Sequence, residues 1–273
     1  MSGQIPAQKE SVNQESTGLL FNRASTISLR LPLTLKLYSQ YSVGVATEFY
    51  FCGESADDRL YAITAQPNST GPNYNMIGPY LHNGPSHCSP VIAAAGEPLS
   101  YRHINPDSEI LLFDPISWMA SVRMRTTEEG KVAFSFELEV EVNSGKRKDV
   151  FSWIRVAKKD NEAGLENGGY KLVRHPPKPR QSPDEAVDDT FWPKNDMSNE
   201  GQVLAILSYA KRDLWQLMSI SWRHKCTLQF THEDVLRQIG TDLRRMILMT
   251  AIRLSVLKAD CRLISNSRAP NSG

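Results

Sequence analysis

No run of eighteen apolar residues occurs anywhere in the chain, so no membrane-spanning helix is expected. The opening Met1-Ser2-Gly3-Gln4-Ile5-Pro6, polar through Thr17, lacks the basic and apolar regions of a secretory signal. Cys52, Cys88, Cys226 and Cys261 include no C-x-x-C pair, and with no leader they read as reduced thiols. The sequon Asn68-Ser69-Thr70 then has no use, and the expected location is the cytoplasm or the nucleus. A net charge of +1 supplies no global field for nucleic acid or acidic lipid, so any such contact must come from a local patch. There is no basic stripe interleaved with aromatics, which sets nucleic acid aside as a partner. No G-x-S-x-G, P-loop or Rossmann fingerprint is present, and nothing in the pattern calls for a cofactor.

What is present is alternation. From Lys131 to Val142 the residues Val132, Phe134, Phe136, Leu138, Val140 and Val142 alternate with smaller or acidic neighbours, as in an antiparallel strand with one wet face. Asn143-Ser144-Gly145 supplies a turn, and Asp149 to Val156 reads as the returning strand. Further strand-like runs are Ile27–Leu31, Ala46–Phe51, Leu60–Ala65, Pro90–Ala95, Glu109–Phe113, Tyr170–Arg174, Gln202–Tyr209 and Cys226–Phe230. Turn-rich segments at 53–58, 66–79, 82–89 and 96–107 separate them, the spacing of a sandwich or barrel.

Residues 1–24 and 265–273 are too polar to offset their ordering entropy and are expected to be disordered tails around one domain, 25–264. Prolines and acidic residues crowd about 175–200, which reads as a mobile insertion. The one helix expected is C-terminal. Thr231 is placed as its N-cap, Glu233 and Asp234 in its first turn, and Gly240 at a bend or break. Apolar residues then crowd nearly every side from Met246 to Leu257, the pattern of a buried helix. A β scaffold with this helix in its core satisfies both signals.

The runs Leu81-His82-Asn83-Gly84-Pro85 with Ser89-Pro90-Val91-Ile92-Ala93, Phe151-Ser152-Trp153-Ile154-Arg155, Gly169-Tyr170-Lys171-Leu172-Val173 and Gln202-Val203-Leu204-Ala205, followed by the terminal helix, resemble fungal members of the tubby-like superfamily. That superfamily includes tubby C-terminal domains, phospholipid scramblases and LURP-one-related proteins. The likeness covers about 27–264 in order and texture. It implies a closed antiparallel barrel of about twelve strands around a hydrophobic helix. It also implies a binding or scaffold role, with basic residues meeting phosphoinositide headgroups. The chain lacks a Pro-rich scramblase region, so scramblase activity is not expected.

Lys146, Arg147 and Lys148 sit at the tip of the hairpin, and Arg155, Lys158 and Lys159 follow along the returning strand. Together they are the candidate site for an anionic lipid headgroup, each cation near such a membrane contributing about 1 kcal/mol. An ordinary solvated hairpin tip has the same composition. Arg244 and Arg245 read as capping or pairing residues at a barrel mouth. His82, His87 and Cys88 are too few for a structural zinc site. Glu137, Glu139 and Glu141 fit the wet face of a strand, and Asp57-Asp58 a loop, rather than catalytic pairs. His224 and Cys226 are expected on one strand face, and Trp118, Trp153, Trp215 and Trp222 in the core.

Three readings follow. The first is a non-enzymatic binding or scaffold protein, peripheral at anionic membrane phospholipid. The second is an enzyme or small-ligand carrier with a pocket at a barrel mouth, marked by His82 or His224 among converging polar groups. The third is a protein-interaction module using the Pro-rich loop to hold a protein partner.

Overall fold

The computed structural model describes residues 31–42, 45–64, 76–98, 108–113, 120–126, 132–142, 145–160, 162–175, 201–211 and 222–267. The expected alternation organises the centre of the chain. Strand β9 (Val132–Val142) pairs with β10 (Gly145–Val156), whose inward Phe151 and Trp153 lie opposite Phe136 and Phe134. Before them come β1 (Thr34–Ser42), β2 (Val45–Cys52), β3 (Arg59–Thr64), β4 (Met76–Ile77), β5 (Tyr80–His82), β6 (Val91–Pro98), β7 (Ser108–Leu112) and β8 (Ala120–Thr126). After them come β11 (Gly169–His175), β12 (Gln202–Tyr209) and β13 (Trp222–Phe230). Every pairing is antiparallel, and β6 pairs with both β5 and β7, so twelve strands close into a barrel. The two-residue β4 pairs along β6 beside β5, inside the 66–79 stretch that reads as a turn.

The interior is filled by the C-terminal helix. Helix α1 (Glu233–Gln238) is followed by an extended Ile239 and by Gly240, then by α2 (Thr241–Ser267). The break falls at the glycine the sequence marked, and one side chain explains how it is tolerated. Arg244 donates to the carbonyl of Ile239 at 3.1 Å and to that of Leu236, supplying donors that the end of α1 lacks. Thr231 is not the N-cap. Its hydroxyl donates to the carbonyls of Val203 and Leu204, tying the chain to β12, and His232 occupies the cap position without a side-chain bond. The helix also runs past the expected boundary at 264, through Ser267.

Two buried arginines show how α2 threads the barrel. Arg245 donates to the carbonyl of Phe113, just past one end of β7, at 2.9 Å; Arg253 donates to the hydroxyl of Ser108, at the other end of β7, at 2.7 Å. Between them Met246, Ile247, Leu248, Met249, Ala251 and Ile252 are buried within the main core. Small residues let the helix approach β6, where Ala93 and Ala95 face the core. Ala94 faces outward and packs with Tyr80 and Leu111.

The bulges matter for placing side chains. On β13 the register passes from Leu37↔Cys226 to Tyr38↔His224, so Lys225 is the extra residue. Cys226 therefore points inward, within hydrogen-bonding distance of Ser255 on α2, while His224 lies outside beside the ring of Tyr38. This corrects the expectation that His224 and Cys226 share a face: the bulge breaks the period of two.

Candidate functional site: the basic ribbon

The outer half of the β9–β10 hairpin stands apart from its neighbours. β8 pairs with β9 only at Phe134 and Ser135, and β11 pairs with β10 only from Val150 onward. Residues 139–148 therefore form a two-stranded ribbon that, among the described residues, pairs with no third strand. Lys146, Arg147 and Lys148 lie on it and are exposed.

The structure does not bring the six candidate cations together. Arg155 lies near the far end of β10, and Lys158 and Lys159 lie in the short 3-10 turn (Lys158–Asp160) beyond it. Eight residues separate Arg147 from Arg155, roughly 26 Å at about 3.3 Å per residue. All three distal cations are exposed, but they belong to the opposite barrel mouth. The single basic surface that the sequence suggested is thus two separate groups, because one continuous strand carries its ends apart.

Within the ribbon the alternation divides the charges again. In the strand register Lys146 is opposite Glu141 and Lys148 opposite the exposed Glu139, so each lysine faces an acidic position across the ribbon. Arg147 shares the other face with Asp149, whose side chain is 0 % exposed. Arg147 donates from Nε to Oδ1 at 2.7 Å and from Nη2 to Oδ2 at 3.1 Å. Arg174 of β11 donates from Nε to Oδ2 at 2.6 Å, 25 residues away in sequence. Burial pushes the Asp149 carboxyl up, but the bonds from Arg147 and Arg174 outweigh it and hold the group below the usual carboxylate range. Sequence reasoning missed Asp149 and Arg174. Their only signal was that Asp149 has the core-facing parity of Phe151 and Trp153.

The other candidates are structural. His82 is buried, and its Nδ1 lies 2.8 Å from the carbonyl of Ser89, which can only accept, so Nδ1 carries the proton. Its Nε2 then accepts from the hydroxyl of Thr64 at 3.1 Å, leaving no lone pair for a metal. Burial lowers its pKa. His87 stacks on Tyr50 with centroids 5.2 Å apart, and Arg59 lies 4.5 Å from the same ring and 4.7 Å from Trp222. Trp222 therefore belongs to an outer aromatic cluster, whereas Trp153 is in the core; Trp118 and Trp215 lie outside the described residues. Glu137 and Glu139 are exposed on the wet face, and Asp58 closes the β2–β3 loop by accepting from the Glu54 amide. Cys52 and Cys226 are buried free thiols, Cys88 an exposed one, and burial raises Cys52 to about 11. No group of three or more metal-ligating side chains occurs among the described residues.

A shallow depression of about 350 Å³ opens between Leu31, Pro32, Thr34, Glu54, Asp58 and Leu60, with neither His82 nor His224 in its lining. The Pro-rich stretch 176–200 lies outside the described residues. Among the described residues no helix is long and apolar enough to cross a membrane. No protein-family model, no curated protein and no solved structure matches the chain.

Proposed function

We propose that this chain is a non-enzymatic binding or scaffold barrel of tubby-like kind that contacts anionic membrane phospholipid through the β9–β10 ribbon. The observation carrying the reading is the ribbon itself, on which Lys146, Arg147 and Lys148 lie exposed where, among the described residues, no third strand pairs. Closure of twelve strands around a C-terminal helix is what the family resemblance implies for the fold, and it supports the kinship. Arg155, Lys158 and Lys159 sit at the other mouth and form no part of the contact in this reading. A small-ligand carrier with a pocket at the barrel mouth is less well supported, because the depression beside Leu31 and Asp58 has neither His82 nor His224 in its lining.

Flotation with neutral vesicles, with or without phosphoinositide, tests the contact. Binding that needs the anionic lipid, falls as salt is raised, and is lost on replacing Lys146 and Lys148 by Glu supports it. Equal recovery with neutral and anionic vesicles, or no recovery at low salt, overturns it.

A further inference from the structure

We infer that Arg147 and Arg174, pinned by the buried Asp149, form a clamp for a phosphate monoester at the base of the ribbon. The inference takes its location from the membrane-contact reading and names the groups that meet the anion.

Two guanidinium groups share one carboxylate, so among the described residues the cluster keeps one unneutralised positive charge. That charge is accessible, since the Arg147 side chain is 42 % exposed and Arg174 22 %, while Asp149 is closed off. Arg147 donates to Asp149 from Nε and Nη2, and Arg174 donates from Nε with its Nη2 2.5 Å from the same oxygen. Among the described residues the Nη1 ends of both make no hydrogen bond, and each holds two N–H donors in a plane that the ion pair has already fixed. Rotamer freedom that binding would otherwise cost has been lost on folding. The ribbon lysines differ: they sit on the opposite face, across from Glu139 and Glu141, and add field rather than geometry.

The geometry favours a phosphate group over a carboxylate. Arg147 and Arg174 come from neighbouring strands, β10 and β11, and hold the same carboxylate, so the remaining Nη1 donors belong to two separate guanidinium groups held together by Asp149. A planar carboxylate has only two oxygens and is satisfied by one guanidinium, whereas the three terminal oxygens of a phosphate monoester can accept from both. A phosphate monoester occurs as a lipid headgroup or on a soluble metabolite, and both offer the same oxygens.

The test uses the full chain with two probes: inorganic phosphate by calorimetry, and phosphatidylcholine vesicles containing phosphatidic acid, with phosphatidylserine vesicles as the comparison lacking a monoester. The clamp predicts binding of phosphate and a preference for phosphatidic acid over phosphatidylserine. Arg174→Lys keeps the charge but loses the fork, and should weaken both by about tenfold. Asp149→Asn is the sharpest variant, because it makes the chain more positive while freeing both arginines. Weaker binding in Asp149→Asn supports the clamp; tighter binding means a diffuse field and overturns it. If Asp149→Asn does not fold, as judged by circular dichroism, Arg147→Lys reads the same contrast, and unchanged affinity there overturns the clamp. Phosphate binding without vesicle binding supports the clamp with a soluble ligand and removes the membrane reading. Vesicle binding lost in the Lys146/Lys148 variant but unchanged in Arg174→Lys leaves the membrane reading and overturns the clamp, as does failure of the native chain to bind either monoester probe.

Discussion

The indole Nε1 of Trp153, on β10, donates to the hydroxyl of Thr250, on α2, at 3.0 Å, with both side chains fully buried. The hydroxyl in turn donates to the carbonyl of Met246 at 2.7 Å. Barrel wall and central helix are thus joined by a polar chain inside an apolar core, where an unmet donor is costly. Thr250→Val keeps the shape and strands the indole N–H. We expect a loss of about 1–3 kcal/mol in urea unfolding at unchanged slope.

Ala95 faces α2 from β6, and the closeness of the helix there depends on its small size. Ala95→Leu should destabilise by about 1–3 kcal/mol through overpacking. Urea midpoints of the variant and native chain check this; an unchanged midpoint would mean that the helix stands further off β6 than described.

Asp149 has a folded pKa below its unfolded one, so its contribution to stability is complete above the unfolded value of about 3.9 and is lost as pH falls through the folded value. Acid titrations of stability should therefore steepen below about pH 4. Asp149→Asn, where it folds, should start less stable and show a shallower acid limb.

Burial lowers the pKa of His82, His175 and His224. Below the unfolded value of about 6.5 the unfolded chain takes up protons that these folded imidazoles resist, so stability falls as pH drops from 6.5 until the folded values are passed. The melting temperature should be higher at pH 7 than at pH 5.5. His82→Gln, which retains a donor and an acceptor, should narrow that difference.

The parts of the fold legible in the sequence were those where side-chain period and burial agree. β12 falls on the expected Gln202–Tyr209, and β9–β10 on the expected hairpin. β1 was missed because its inward positions are Leu35, Leu37 and the buried Ser39, so a polar residue interrupts the stripe. β8 was missed because Arg123 and Arg125 flank an inward Met124 in a short run. The bulge at Lys225 left no mark in composition, which is why His224 was set on the wrong face. The ribbon's lysines and arginine were visible as residues, but the Arg147–Asp149–Arg174 cluster depends on the β10–β11 pairing, and a strand partner 25 residues away is not specified by local pattern. Likewise, the separation of Arg147 from Arg155 becomes decisive only once both are known to lie on one continuous strand.

With α2 as the core of the barrel, function is left to the rim and the outer surface. A chain ending at Gly240 tests this most directly, with cooperativity of heat unfolding followed by calorimetry and near-ultraviolet circular dichroism. Loss of the helix removes Met246, Ile247, Leu248, Met249 and Ile252 from the core at once, so the account predicts no cooperative transition and no fixed aromatic signal. A soluble, shortened chain that melts in one sharp transition would contradict it.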